Sequence, residues 1–176
     1  MLRLFTLLAL LTVQIIPLSA EDLGERIRRA AIAMTDAYQR EDSKALTEFT
    51  AAPIVKMAGG PSALAEKIEK EFAANRKENL KLLSYSFVKP DRIHFLNGQL
   101  FALIERKSRW RYDQENMDLR FNLLAISTDS GATWRFAEIT SIDEQAFRRL
   151  FGFFDEQLFS EFYKYTSERC ECKGAK

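Results

Sequence analysis

The spacing of the apolar residues changes once along this chain, from helical periodicity to the alternation typical of strands. Helical spacing predicts three helices in the first part of the chain, over 21–39, 44–50 and 61–78. Five strands are expected after Asn79, at 80–87, 92–96, 99–112, 117–127 and 133–140. Asn97-Gly98 is a strong two-residue hairpin signal, so neighbouring strands should run antiparallel. Helices followed by such strands predict an α+β fold, with N-terminal helices packed on a curved antiparallel sheet.

The two ends of this pattern are less regular. Between the second and third helices, Pro53 disfavours helical geometry in the residue before it, so the segment up to Gly60 is expected to be a connection. After the last strand, Asp143 can cap a further helix. The apolar stripe of that helix is Phe147, Leu150, Phe151 and Phe154. We therefore predict a domain at 21–154 and a C-terminal tail at 155–176.

The first twenty residues have the order of a secretory signal peptide. Basic Arg3 precedes an apolar run at 4–16, Pro17 breaks the run, and Ala20 offers a small residue for cleavage. A transmembrane anchor is the alternative, but the run is shorter than the roughly 20 residues that span a bilayer. Cleavage is expected between Ala20 and Glu21, which predicts an exported protein, periplasmic or secreted, without a stable membrane anchor.

The composition excludes several classes of protein. With 47% hydrophobic and 12% aromatic residues the chain is too apolar to be disordered. Its formal net charge is +1, and Arg3 is the only charged residue before Glu21, so the remainder is formally neutral. A dedicated nucleic-acid binder would have a strong basic excess. With one His and two Cys, the chain has no His-rich metal site and no disulfide framework, and neither a metal nor a cofactor is predicted.

Three segments carry a resemblance to a known superfamily. They are the polar break at 38–42, the segment 53–60 before the third helix, and the hairpin segment 124–136. With the order of helices and strands, they resemble the NTF2-like (cystatin-like, SnoaL-like) superfamily, and in particular small exported bacterial members without a settled function. The resemblance covers about residues 22–150. Enzymes of the superfamily use polar residues inside a cone, but their roles have no matching positions in this chain.

Helices that cover one face of a curved sheet form a cone, and its mouth is a natural ligand site. Trp110, Phe136 and Tyr85 are the candidate binding residues there. We expect a non-catalytic module that binds a small apolar ligand in the cone, or a protein partner, including a second copy of the chain through the sheet. The alternatives are an isomerase, dehydratase or hydrolase acting on a small substrate, and an accessory or inhibitory subunit of another exported protein.

Glu138 is the candidate catalytic residue for the enzyme hypothesis. It alternates in phase with Trp134 and Phe136 along the last strand. If that face points into the cone, apolar surroundings would raise the pKa of Glu138 and suit it to general acid/base chemistry. If the face points outward, Glu138 is a solvated carboxylate or the partner of an ion pair.

One turn motif matches the Asp-box of sialidases and other propeller proteins. It consists of Ser127, Asp129, Gly131, Thr133 and Trp134. Asp129 can accept backbone N–H groups across the turn, and Gly131 can adopt a positive φ. A propeller repeats the box in every blade, whereas this chain contains it once, so we interpret it as a structural hairpin turn.

The remaining motifs are expected to be structural. Segment 106–112 combines four basic and two aromatic residues, but alternation divides them between the two faces of a strand, and nearby acids such as Asp118 can pair with them across the hairpin. His94 is the only histidine and is expected to be structural. Cys170 and Cys172 are expected in a disordered tail, either as incidental thiols or as bridging ones.

Overall fold

A computed structural model describes residues 22–140 and 142–164, so the predicted signal peptide and Cys170 and Cys172 lie outside the described residues. Four helices come first: α1 (Leu23–Gln39), α2 (Ser43–Phe49), α3 (Ala52–Ala58) and α4 (Pro61–Lys77). Five strands follow: β1 (Lys81–Val88), β2 (Ile93–Leu96), β3 (Gln99–Tyr112), β4 (Glu115–Ser127) and β5 (Arg135–Glu138). The last helices are α5 (Glu144–Phe151) and α6 (Glu156–Tyr163). This order of helices before an antiparallel sheet confirms the α+β prediction.

Helices α1 and α2 each begin at a side-chain cap. The carboxylate of Asp22 accepts the N–H of Gly24 at the start of α1, and that of Asp42 accepts the N–H of Ala45 at the start of α2. The expectation of an irregular connection around Pro53 is wrong, because α3 forms there. Pro53 lies in the first turn of α3, where its missing N–H has no intrahelical partner to lose, so it starts the helix instead of preventing it.

The sheet is built around the long β3–β4 hairpin. These strands pair from Leu100 opposite Ser127 to Tyr112 opposite Glu115, and β1 and β2 both pair with β3 while β5 pairs with β4. The hairpin signal at 97–98 is confirmed, since both residues have the positive φ of a type I′ turn. The loop before β4 is shorter than predicted. Because Asp113 also adopts a positive φ, two residues suffice to reverse the chain.

Helix α1 covers one face of the sheet, which we call the inner face. Ile27 and Ala31 of α1 are fully buried in one cluster with alternate residues of the central strands. The strand residues are Ala102, Ile104, Leu123, Ala125 and Phe136, and Trp134 joins them from just before β5. Burial of each large apolar side chain in this cluster, such as Ile27 or Leu123, stabilises the fold by roughly 1.5–3 kcal/mol. The contact with α1 therefore fixes this helix on the sheet.

The outer face of the sheet is covered by α5 and α6. We call the buried aromatic residues there the Phe cluster, comprising Phe101, Phe147, Phe151, Phe154, Phe159 and Phe162. Phe159 and Phe162 belong to α6, so packed structure extends beyond the domain boundary predicted at 154. The sequence did not indicate α6, because its apolar residues are buried only by contact with the rest of the Phe cluster. Where α5 and α6 do not cover the outer face, it carries charged side chains such as Lys107 and Arg109, so it offers little apolar area to the predicted second copy.

Candidate functional site

The inner face is buried at one end and open at the other. Along β3, the alternate residues from Ala102 to Trp110 are all buried. Along β4, the inner-face residues opposite them change from buried Leu123 to half-buried Phe121, Leu119 and Met117 towards the hairpin. The first half of this face is therefore sealed beneath α1, while in the second half the end of α1 still covers β3 and solvent reaches the β4 side. The candidate site lies at the transition between the two.

Arg106 is at the centre of this transition. It pairs with Phe121 across the hairpin, and its guanidinium lies over the ring of Phe121 at 4.5 Å from the centroid. Its side chain is only 11% exposed, and Nε is buried without a hydrogen-bond acceptor in the part of the chain that the structure describes. Burial lowers the pKa of Arg106 from its ordinary value. A buried cation with an unmatched donor costs stability, which is typical of a group kept for function.

Two carboxylates interact electrostatically with Arg106. Glu138, at the end of β5, places Oε2 at 3.6 Å from the Nη2 of Arg106, too long for a good hydrogen bond, and its side chain stays 46% exposed. Desolvation by the surrounding protein atoms raises the pKa of Glu138. The positive charge of Arg106 opposes this rise, and the negative charge of Glu71 in α4 adds to it. Partial desolvation raises the pKa of Glu71 in the same way, although this residue is exposed, and the attraction of Arg106 opposes the rise. The guanidinium of Arg106 thus interacts electrostatically with two carboxyl groups that are easier to protonate than usual.

Two tyrosines extend the polar cluster along the inner side. The hydroxyl of Tyr38 accepts a hydrogen bond from Asn75 at 2.8 Å, and burial together with the charge of Glu71 raises its pKa to about 12. The hydroxyl of Tyr85 donates to Asp36, and burial and that hydrogen bond raise its pKa to about 12. Both tyrosines therefore stay neutral hydrogen-bonding groups at physiological pH.

The predicted site residues fall in different places. Glu138 lies on the inner face, beside Arg106. Trp110 is buried against Tyr38, with ring centroids 5.7 Å apart, and borders a cleft of about 330 Å³ between α1, α4 and the sheet. Tyr85 is half-buried on the same face. Phe136 is 3% exposed and lies in the core beneath α1.

Sequence reasoning missed Arg106, Glu71 and Tyr38 as members of the site. The predicted pairing of segment 106–112 with nearby acids is seen at Arg109, whose guanidinium donates to Asp118 at 2.8 and 3.0 Å across the hairpin. Arg106 has the opposite phase of the alternation and points inward. A strand arginine in phase with buried Ile104 is the signal that could have identified it.

The Asp-box-like turn forms as the sequence predicts. The carboxylate of Asp129 accepts the backbone N–H and the hydroxyl of Thr133, at 2.9 and 2.6 Å, and the hydroxyl of Ser127 at 2.7 Å. These bonds lower the pKa of Asp129 to about 2. Gly131 has φ +87°, and a Cβ there would lie 2.6 Å from Leu23, so the turn both requires glycine and packs directly against α1.

His94 joins β2 to α6. Its Nε2 lies 3.2 Å from the Oε1 of Glu161, and its ring meets the edge of Phe162. Within the described ranges, no group of three His, Cys, Asp or Glu side chains is placed to hold a metal ion. His94 therefore has a structural partner on a neighbouring element.

No protein-family model, curated protein or solved structure matches this chain. Across residues 22–140 and 142–164, no helix combines the length and the apolar character needed to cross a bilayer. The candidate functional groups of the molecule are those of Arg106, Glu138, Glu71 and Tyr38.

Proposed function

We propose that this chain is an exported, NTF2-like binding module that holds a small, largely apolar molecule against the open half of its inner face, without changing it chemically. The order of its elements and the signal-peptide pattern at 1–20 support this assignment. The observation that carries the proposal is Arg106, a buried cation with an unmatched donor beside half-buried apolar residues. Small-molecule sites commonly combine an apolar wall with a few polar groups of this kind.

The charges around Arg106 define the polar end of the ligand. Glu138 and Glu71 both interact electrostatically with the guanidinium, so an anionic ligand beside it would be repelled by two carboxylates and attracted by a single cation. A neutral acceptor such as a carbonyl oxygen avoids that repulsion and can still accept from Arg106. The apolar part of the ligand would then lie on the half-buried side chains of Phe121 and Leu119. We infer a neutral amphipathic ligand with a carbonyl or hydroxyl group at one end.

Native mass spectrometry of the protein purified from the periplasm or the medium tests this proposal. It should reveal an added mass that extracts into organic solvent, and Arg106→Met should lose it. Arg109→Met is the matched control, because Arg109 lies on the same strand but points outward and pairs with Asp118. If no mass is retained, and neutral medium-chain ketones fail to raise the melting temperature of the parent, the binding proposal is wrong.

The raised pKa of Glu138 favours an enzyme as the second candidate. A carboxylate of raised basicity near a guanidinium could remove a proton from the carbon next to a carbonyl group while the cation stabilises the developing oxyanion. Incubation of the bound ketone in deuterated water separates the two functions. Deuterium incorporation by the parent that is lost in Glu138→Gln indicates an enzyme, whereas return of the ligand unlabelled indicates a binding module.

A further inference from the structure

The charged groups around Arg106 are one cation and two carboxyl groups. Among the described residues, the electrostatic partners of its guanidinium are Glu138 of β5, Glu71 of α4 and Tyr38 of α1. Tyr38 stays neutral at physiological pH, and β4 contributes the uncharged ring of Phe121. The cluster therefore carries a formal charge of −1 when both carboxyl groups are ionised, and of +1 when both are protonated.

Neither carboxyl group is held to Arg106 by a hydrogen bond. The Oε2 of Glu138 lies 3.6 Å from the Nη2 of Arg106, and the side chain of Glu138 is 46% exposed. Glu71 is exposed, and its attraction to Arg106 acts through space, without a hydrogen bond between the two side chains. Each carboxyl group can therefore take up a proton without losing a hydrogen bond to the guanidinium, whose Nε has no acceptor among the described residues.

Acid removes the two negative charges and leaves the positive one. Desolvation raises the pKa of Glu138 and that of Glu71 against the attraction of Arg106, so both protonate at a higher pH than ordinary glutamates. A guanidinium stays charged throughout the pH range in which carboxyl groups titrate. In acid, Arg106 is then a buried cation without a counter-charge, and an anion that hydrogen-bonds to it would offset the cost of its burial.

We propose that acidity changes the class of ligand that this site accepts, from a neutral carbonyl compound to an amphipathic monoanion. With both carboxyl groups ionised, the negative charge of the cluster repels an anionic head group. With both protonated, the guanidinium can bind a carboxylate or sulfonate head group through parallel hydrogen bonds. The alkyl chain lies on Phe121 and Leu119 in both cases. This inference rests on the proposed function, because it uses the same binding site.

Isothermal titration calorimetry at two pH values tests the proposal with two probes of equal chain length. The pH values are 7.5 and 4, of which the second lies just below the ordinary pKa of a glutamate. Octane-1-sulfonate is negatively charged at both, whereas 2-octanone is neutral at both. The parent should bind 2-octanone at both pH values, and should bind the sulfonate at least about tenfold more tightly at pH 4 than at pH 7.5. Circular dichroism at each pH checks that the protein is folded.

Variants locate the effect in the cluster. Glu138→Gln removes one negative charge at every pH, so at pH 7.5 it should bind octane-1-sulfonate at least about tenfold more tightly than the parent. Glu71→Gln should act in the same direction. Glu48→Gln is the matched control, because Glu48 is an exposed carboxylate on α2 that has no electrostatic interaction with Arg106, and it should bind the sulfonate as the parent does.

The outcomes separate this inference from the proposed function. The inference alone is overturned if the parent binds 2-octanone but binds the sulfonate no more tightly in acid, or if Glu138→Gln gains no more affinity than Glu48→Gln. An equal gain in acid for Arg106→Met would also overturn it, because the sulfonate would then respond to the charge of the whole protein. If the parent binds neither probe at either pH, the inference and the proposed function are both wrong.

Discussion

Replacement of Arg106 by methionine should separate ligand binding from stability. Arg106 is the most buried charge of the candidate site, and its Nε donor has no acceptor in the described residues. Methionine has a similar length, remains in contact with the ring of Phe121 and introduces no charge. We therefore expect Arg106→Met to abolish binding of the neutral ligand while leaving the fold intact or making it more stable.

The structure sets the size of this effect. Removing the unmatched donor recovers about 1–3 kcal/mol. The lost ion pair contributes little, about 0–1 kcal/mol, because Glu138 is 46% exposed and lies 3.6 Å away, so water can solvate the carboxylate left behind. The cation–π contact with Phe121 is replaced by a sulfur–aromatic contact of similar strength, about 0.3–1.5 kcal/mol. The expected change in the free energy of unfolding lies between zero and a gain of about 3 kcal/mol.

Urea unfolding followed by circular dichroism measures this change, as a shift of the midpoint at constant slope. Arg109→Met is the control on the same strand, and its exposed pair with Asp118 should leave the midpoint unchanged. A loss of more than about 1 kcal/mol in Arg106→Met would refute the reasoning, because it would mean that the buried charge contributes more than its desolvation and its unmatched donor cost.

Three further predictions concern titration and packing. In urea unfolding, Glu138→Gln should gain stability over the parent as the pH rises above 4.5. The raised pKa of Glu138 stabilises the fold at low pH, and this contribution is lost as the pH rises through the folded-state pKa. A stability difference between variant and parent that stays constant with pH contradicts this. The contribution of ionised Asp129 to the free energy of unfolding should be lost as the pH falls from about 4 through about 2. Asp129→Asn should flatten that part of the pH–stability curve, and an unchanged curve contradicts this prediction. Phe159→Ala should cost about 3–5 kcal/mol in urea unfolding, while Phe95→Ala, at a residue 72% exposed, should cost little; equal costs would mean that α6 does not belong to the cooperative core.

The sequence predicted the elements better than it predicted their surroundings. The strand alternation and the Asn97-Gly98 turn follow from local chemistry, and so do the caps at Asp42 and Asp143. Helix α3 was missed because Pro53 can either end or begin a helix, and only the neighbouring residues decide which. Helix α6 was missed because Phe159 and Phe162 are stabilised by the Phe cluster, a contact that the local sequence does not contain.

The site itself was only half predictable, and the reason is geometric. Alternation places Glu138 in phase with buried residues, but the face of a neighbouring strand on which a charge lies depends on the pairing register. Arg106 is brought beside Glu138 because β3, β4 and β5 pair in a fixed register, with Ile104 opposite Leu123 and Leu123 opposite Glu138. A shift of one residue would place Lys107 on the inner face in place of Arg106.

The outer face of the sheet contributes most of the aromatic packing, and this explains how the inner face can hold a destabilising polar site. The outer face is filled by the Phe cluster, and each aromatic pair in it adds about 0.5–1.5 kcal/mol to the stabilisation from buried area. The stability from this packing offsets the cost of burying Arg106, whose Nε has no acceptor among the described residues. An apolar side chain in place of Arg106 would make the fold more stable. The ligand proposed above would supply the acceptor that the Nε of Arg106 lacks among the described residues. The stability of the fold and its proposed binding function therefore rest on opposite faces of one sheet, and a substitution on one face should leave the other largely unaffected.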